Sequence, residues 1–237
     1  MPREMPSRKL RTKLSVSDTT SRLLNYYHRH GVRSTLGRAV VALSRCLFSG
    51  RMVLFYCDLP RQASPFNAVR AASQYTVERK YNQEELQSSD SDLIVNFWNT
   101  ETSKRLLYER FRKGASLWLV RFEGKLAGYG WTLTGCTIEP HYYPLGTNDI
   151  HLFDFLVFPE YRGRGVNPCL VTHILDQMTA EGRTRAYIEA AEWNLPQLAS
   201  LRKTGFQLLG VARKRSLLGR TVVAWGTLRK RGLFFKT

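Results

Sequence analysis

The sequence has no uninterrupted apolar run of about 18 residues, the length that a membrane-spanning helix needs. Its four cysteines show no CxxC spacing and its five histidines show no HExxH pattern. We therefore expect reduced, mostly packed thiols and no bound metal. The first residues are too polar for a secretory signal. Together these features predict a cytoplasmic protein.

Acidic residues are also scarce, because 19 Asp and Glu oppose 36 Lys and Arg, and the formal net charge is +17. Between Met1 and Arg51 there are eleven basic residues and only two acidic ones. Such a balance attracts polyanions, namely nucleic acid, anionic lipid or phosphorylated ligands, without choosing among them. The hydrophobic content of 43% is nevertheless enough for a packed core.

The basic N-terminal region, residues 1–70, is predicted to be distinct from a main domain at residues 71–237. Its first 18 residues are expected to form a tail, and apolar residues within Ser21–Phe48 recur with helical spacing. A basic amphipathic helix either lies on an anionic membrane surface or packs on the main domain with its charges in water, and we favour the second. RNA-binding motifs are absent, so nucleic acid is only a minor alternative partner.

The main domain is predicted to alternate strands and helices in the order β α α β β β α β α β β. The predicted strands are Ser73–Tyr81, Ser116–Phe122, Lys125–Thr134, Asp149–Phe158, Arg185–Ala191, Phe206–Val211 and Thr221–Leu228, and the predicted helices are Gln83–Asp92, Ser103–Lys113, Pro168–Glu181 and Leu195–Lys203. This order predicts an α/β or α+β fold with a mixed central sheet flanked by helices. A further β-rich run, Met52–Cys57, precedes it, and loops at Gly135–Asn148 and Lys214–Gly219 are expected to shape a substrate pocket.

The stretch Phe155–Val171 has the features of a phosphate-binding turn. An apolar strand end is followed by the turn Arg162-Gly-Arg-Gly165, and a helix is expected to begin at Pro168 with Asn167 as its N-cap. Glycines let the backbone approach a phosphate, and the helix N-terminus adds favourable potential. An ordinary tight turn without a ligand is the alternative interpretation.

Three separated signals resemble the GNAT (GCN5-related N-acetyltransferase) superfamily. The segment Arg162–Asn167 matches the family's Arg/Gln-x-x-Gly-x-Gly/Ala turn, except that Asn167 replaces the last small residue. Asn194 lies eleven residues before Gly205-Phe206, which is the family's spacing, and the element order from Ser73 to Leu228 is similar to the family's.

The resemblance implies that acetyl-CoA is the co-substrate. It places the pyrophosphate on the glycine turn, the pantetheine arm along the strand before it, and the thioester carbonyl near the backbone amide of Val157. The residues implied in acetyl-CoA binding are Leu156, Val157, Arg162, Gly163, Arg164, Gly165, Val166, Asn167 and Asn194. Capping of the following helix is the ordinary role for Asn194, and the two roles are compatible.

The resemblance also implies a base that removes a proton from an acceptor amine. Glu189 occupies the position of a base used by some protein N-terminal acetyltransferases, and burial in its apolar strand is expected to raise its pKa. His151, which aligns with a glutamate of histone-acetylating members, is the second candidate. Asp154 is the third, although strand parity places it on the opposite face from His151. Water, or no base, remains open. Leu201 stands where many relatives have a tyrosine acid.

The predicted function is transfer of an acetyl or other acyl group, not an aminoacyl group, from CoA to a primary amine. A small molecule and a protein both remain open as the acceptor. Leu201 and Asn167 motivate the alternative of an inactive acyl-CoA-binding or scaffold protein. The basic N-terminal region motivates a third possibility, an acyltransferase-like protein associated with RNA or tRNA.

Overall fold

The structure is a computed structural model that describes residues 50–60, 74–97, 100–138, 141–217 and 220–226. All of them belong to one compact unit, Leu47–Thr237. The predicted N-terminal tail and the predicted helices within Ser21–Phe48 lie outside the described residues. None of the helices in the described ranges has the length and apolar character needed to cross a membrane.

The described ranges contain eight strands and four α-helices. The strands are β1 (Arg51–Asp58), β2 (Tyr75–Lys80), β3 (Ser116–Phe122), β4 (Lys125–Thr134), β5 (Asp149–Val157), β6 (Arg185–Ala191), β7 (Gln207–Leu217) and β8 (Arg220–Gly226). The helices are α1 (Ser88–Asn96), α2 (Thr100–Arg112), α3 (Val166–Ala180) and α4 (Leu195–Leu201), with a 3-10 turn at Pro159–Tyr161 before α3.

All eight strands form one mixed sheet in the order β2-β3-β4-β5-β6-β1-β7-β8. Neighbouring strands are antiparallel except β5 and β6, which run parallel. The predicted fold class, a mixed sheet flanked by helices, is confirmed. The β3–β4 hairpin turns at Glu123 and Gly124, whose positive φ angles of 50° and 76° suit a two-residue hairpin.

Strand β1 occupies an unexpected place, between β6 and β7. Leu54 lies opposite Glu189 of β6 on one side and Gly210 of β7 on the other. A continuous apolar run is typical of a strand with both faces covered, and Val53, Leu54 and Phe55 are all buried. The prediction that the sheet's first strand is at Ser73–Tyr81 is therefore wrong, because the sheet begins earlier in the chain.

Helix α3 covers one face of the sheet, and α1 with α2 covers part of the other. The residues that anchor α3 recur with helical spacing and are fully buried: Leu170, Val171, Ile174, Leu175 and Met178. Burial of each such side chain contributes about 1.5–3 kcal/mol before conformational entropy is counted. The turn that precedes α3 is therefore held by a firmly packed helix.

Helix α1 begins at Ser88, five residues later than the predicted start at Gln83. A local turn occupies the preceding segment, since the Asn82 side-chain oxygen accepts a hydrogen bond from the Glu85 amide at 2.9 Å. Asn favours such turns over the helix interior. Further along the helix, the buried Asp90 carboxylate forms an ion pair with Arg121 of β3.

The parallel strands β5 and β6 pair only at their beginnings, where Asp149–Leu152 lies beside Arg185–Ile188. Beyond Leu152, β5 bulges: the register against β4 shifts, and Asp154 has a φ of 50°. None of the described strands pairs with the β6-facing edge of β5 beyond this point. The sheet therefore opens into a gap at the carboxyl ends of β5 and β6.

Candidate active site

The open edge of β5 ends at Leu156 and Val157, the two strand residues predicted to contact acetyl-CoA. Arg162 Nε donates a long, 3.3 Å hydrogen bond to the Val157 carbonyl. The Phe158 amide donates to the Ala127 carbonyl of β4. The carbonyl of Val157 belongs to the same peptide unit and points the opposite way, so it faces the gap. An extended arm with amide groups can pair with such an edge as an added strand does.

The glycine turn leads into α3 differently from the prediction. The helix begins at Val166, and its N-cap is Gly165 with a φ of 86°, so the predicted Asn167 cap and Pro168 start are wrong. Glycine adopts this left-handed conformation at little cost and can therefore replace a side-chain cap. Gly163 has a φ of 78°, which bends the turn before it.

Asn167 is thus the second residue of α3, and its side chain is directed at α4. Its Nδ2 donates to Ser200 Oγ at 2.7 Å and more weakly to Gln197 Oε1 at 3.3 Å. Its side chain therefore does not fill the glycine turn, and only its backbone amide remains available there. The Asn167 Oδ1 atom is buried without a hydrogen-bond partner.

The start of α3 has the character of an anion site. Its first helical hydrogen bond runs from Cys169 N to Gly165 O, so the amides of Val166 and Asn167 have no carbonyl within the helix to bond. The macrodipole of a 15-residue helix adds positive potential at this end. Arg162 and Arg164 lie in the same turn, and the residues present thus fit a phosphate-bearing ligand.

Tyr75 of β2 holds the turn, a contact that the sequence analysis missed. Its hydroxyl donates to the Arg164 carbonyl at 2.7 Å, across 89 residues of sequence. The Arg164 guanidinium in turn lies over the Phe122 ring, 5.2 Å from its centroid. No local motif signals either contact, because both depend on the β2–β3 pairing.

Asn194 caps α4, which confirms its predicted structural role. Its side chain accepts a hydrogen bond from the Gln197 amide at 3.4 Å. Since Asn167 bonds Ser200 and Gln197, the N-termini of α3 and α4 are held together. Leu201, at the position where relatives carry a tyrosine, is fully buried in the core beside α3.

The structure brings two of the three predicted base candidates into contact. His151 Nε2 and Glu189 Oε2 are 2.8 Å apart, and the His151 side chain is almost completely buried. Burial opposes ionisation of the Glu189 carboxyl, but the hydrogen bond from His151 and the nearby positive charge of Lys214 outweigh it. The pKa of Glu189 is therefore lowered, and the expectation of a raised pKa is wrong because neither partner is near Glu189 in sequence.

Asp154 is separate from this pair. At the bulge its side chain forms an ion pair with Arg110 of α2, and the Arg110 guanidinium lies over the Phe153 ring. The Phe153 ring stacks on the His151 ring, so these two side chains lie on the same face of the sheet. Arg110 contacts both Phe153 and Asp154, which places the Asp154 carboxylate on that face as well. The opposite-face prediction is wrong, since the extra residue of a bulge breaks the alternation of side chains.

Aromatic residues of the loop between β4 and β5 surround the His151–Glu189 pair and were missed from sequence. The His141 ring centroid lies 4.8 Å from that of His151 and 5.2 Å from that of Tyr143. Tyr143 also contacts Tyr187 of β6, with centroids 4.9 Å apart. Burial lowers the pKa of His141 to about 4, so its imidazole is neutral at neutral pH.

An open cleft of about 360 Å³ runs along this loop. Its lining residues are Cys136, Thr137, Ile138, His141, Tyr143, Pro144 and Leu145. The predicted second loop at Lys214–Gly219 is wrong for its first part, because β7 continues to Leu217. Lys214 lies on that strand with its Nζ 4.4 Å from the Tyr142 ring centroid.

Comparison with known proteins agrees with this geometry. The model of the acetyltransferase (GNAT) family matches residues 78–206, which is more than half of the chain. The chain therefore belongs to the acetyltransferase (GNAT) family, whose fold supports acyl-CoA-dependent acyl transfer and whose members use acetyl-CoA as co-substrate. No curated protein matches the chain.

Solved structures resemble the chain at low identity, and those with a TM-score of 0.50 show the fold alone. A GNAT-family acetyltransferase from Colwellia psychrerythraea is 12% identical with a TM-score of 0.50, and the match covers 91% of this chain and 74% of that one. The glucosamine N-acetyltransferase region of a fungal multi-domain GH3 β-N-acetylglucosaminidase is 14% identical with a TM-score of 0.50, covering 73% and 22%. A GNAT-family protein from Novosphingobium aromaticivorans is 16% identical with a TM-score of 0.43, covering 68% and 61%.

Proposed function

We propose that this protein transfers an acetyl group from acetyl-CoA to a primary amine, with Glu189 as the base. The observation that carries the proposal is the His151–Glu189 contact at 2.8 Å beside the gap between β5 and β6. The Arg162–Asn167 turn, with its unpaired helix amides, lies at the end of the same gap. Phosphate-binding and proton-accepting groups are thus available along one edge of β5.

In this proposal the turn holds the pyrophosphate through its backbone amides and arginines, and the edge at Leu156 and Val157 pairs with the pantetheine amides. Asn194 keeps its capping role and hydrogen-bonds the same arm. A backbone amide near Val157 donates to the thioester carbonyl oxygen and stabilises the charge that develops on it.

The acceptor nitrogen then attacks the carbonyl carbon, so that a C–N bond forms and the C–S bond breaks. The ionised Glu189 carboxylate takes the proton that the amine loses, and His151 holds that carboxylate in place. The thiolate leaves and takes a proton from solvent, because Leu201 offers none. The products are the N-acetylated amine and CoA.

The test is a thiol-release assay over a panel of amines, run on the unmodified protein and on Glu189→Gln. Loss of a general base lowers turnover by about 10²-fold or more. We expect this loss in Glu189→Gln while acetyl-CoA still binds. Glu192→Gln is the matched control, because Glu192 is a nearby carboxylate that pairs with Arg51. Normal turnover in Glu189→Gln would remove Glu189 from the base role.

A second candidate is an acyl-CoA-binding protein without catalysis. It is favoured by the complete burial of Leu201, which leaves the usual position of the acid inside the core. Saturable acetyl-CoA binding without thiol release from any amine in the panel would support this candidate over the enzyme. Thiol release that depends on an amine would exclude it.

A further inference from the structure

Three side chains with metal-binding chemistry converge beside the gap from separate parts of the chain. His141 comes from the loop before β5, His151 from β5 and Glu189 from β6. One ligand atom from each lies within 4.8 Å of the others. The sequence predicts no bound metal because no two of these residues form a local ligand motif. His151 and Glu189, for example, are 38 residues apart.

Two ring nitrogens in this cluster have no hydrogen-bond partner. His141 Nε2 and His151 Nδ1 are both buried and unsatisfied. Leaving a buried polar atom without a partner costs about 1–3 kcal/mol. His151 as a residue is only 5% exposed, so bulk water does not offset that cost for its side chain. The unpartnered His141 Nε2 is the observation that indicates a missing ligand, because His151 faces Glu189 through its other nitrogen, Nε2.

We infer that His141, His151 and Glu189 form a binding site for a divalent transition-metal ion, for which zinc is the best match. Two imidazoles and one carboxylate are a ligand set that zinc uses when it keeps an open coordination position. Imidazole ligands favour zinc and its neighbours over magnesium or calcium, which prefer oxygen.

The donor atoms suit this ion. His141 Nε2 has no hydrogen-bond partner, so it is available as a ligand without loss of an existing contact. On metal binding, the proton that His151 shares with Glu189 moves to Nδ1 of the same ring, and both freed atoms become ligands. The ring keeps one proton and no redox step is involved.

The distances require a modest closure. In a tetrahedral site, metal bonds of about 2.0–2.2 Å place neighbouring ligand atoms roughly 3.3–3.6 Å apart. The His151–Glu189 pair, at 2.8 Å, must open slightly, and the wider separations within the 4.8 Å cluster must shorten. His141 belongs to a loop and lines the open cleft, which gives the ion a path from solvent. The positive charge of Lys214, which acts on the Glu189 carboxylate, weakens the site for a cation.

Metal binding has a consequence that rests on the proposed function. An ion bound to Glu189 occupies the carboxylate that would accept the amine proton. Zinc is therefore expected to inhibit acetyl transfer at the concentrations at which it binds. The binding itself does not depend on turnover.

The experiment is calorimetric titration of zinc chloride into the full chain after treatment with a chelator. We expect one site that is lost or weakened more than about tenfold in His141→Ala and in Glu189→Gln. His173→Ala removes a histidine of α3 outside the cluster and should leave the affinity unchanged. A His28→Ala/His30→Ala variant, measured in the same way, should also retain the site, and magnesium chloride should give no binding.

Zinc affinity in His141→Ala within twofold of the unmodified chain would overturn the site, as would its loss in His28→Ala/His30→Ala. Circular dichroism of each variant establishes that it is folded. A chain that binds zinc through His141 but acetylates no amine would refute the proposed function alone. Amine acetylation without zinc binding would refute the metal site alone.

Discussion

Gly130 of β4 lies beneath the part of β5 that borders the gap, and it gives a direct test of this packing. A Cβ atom at this position would lie 2.4 Å from the Phe155 ring. The Phe155 side chain packs against the core on the α3 side and is followed at once by Leu156 and Val157. A Gly130→Ala substitution should therefore push the ring and with it the edge at Leu156 and Val157, which we propose binds acetyl-CoA.

The magnitude follows from two opposing effects. Overpacking costs about 1–3 kcal/mol. Alanine reduces the conformational freedom of the unfolded chain, and this stabilises the folded protein by about 0.4–1 kcal/mol where the backbone conformation suits alanine. Gly130 meets that condition, because it is not among the residues with positive φ. We expect a net loss of about 1–2 kcal/mol in the free energy of unfolding, measured with urea, together with weaker acetyl-CoA binding.

A double-mutant cycle with Phe155→Leu identifies the cause. Without the ring, the added methyl group should cost little, so Gly130→Ala in the Phe155→Leu background should destabilise by less than about 0.5 kcal/mol. Equal losses in both backgrounds would show that the ring contact is not responsible and would refute the reasoning.

Asn167→Ala should change the free energy of unfolding by less than about 1 kcal/mol, because the lost hydrogen bond to Ser200 is offset by removal of the buried, unpartnered Oδ1. Calorimetry should show an acetyl-CoA affinity within about twofold of the unmodified chain. A tenfold loss of affinity would place the Asn167 side chain at the ligand. Asp90→Asn should cost about 3 kcal/mol in urea unfolding, since Arg121 loses its buried partner. Glu78→Gln, which affects a more exposed carboxylate on the same arginine, should cost clearly less, and the reverse order would contradict this account. Burial lowers the pKa of His173 below 6.5, so the unfolded chain binds the proton more readily and stability falls as pH drops below 6.5. His173→Asn should lessen that fall in urea titrations between pH 7.5 and 5, and an unchanged slope would show no contribution from His173.

Much of the main domain was predictable because its signals are local. Three predicted strands match the structure residue for residue, namely Ser116–Phe122, Lys125–Thr134 and Arg185–Ala191. Their ends are predictable because a Glu-Gly turn or flanking polar residues bound each β-rich run. The start of α3 was misplaced because Asn and Pro are common helix-start residues, whereas the actual cap depends on the φ of Gly165.

The contacts that complete the site were not predictable from spacing. Strand β1 enters the sheet beside β6 through pairing with a segment more than a hundred residues away. His141 reaches His151 only because the loop before β5 folds back over the sheet. The bulge at Asp154 likewise reverses a side chain that strict alternation would have placed on the other face.

The central claim, that the turn before α3 binds acetyl-CoA, is tested most directly by calorimetry on two matched glycine variants. Gly165 and Gly182 have φ angles of 86° and 72°, and a Cβ at either position meets no atom within 4 Å. Alanine therefore strains the backbone similarly at the two ends of α3. We predict one acetyl-CoA site that is weakened about tenfold or more by Gly165→Ala and little changed by Gly182→Ala. No binding to the unmodified chain, or equal weakening by both substitutions, would contradict the claim.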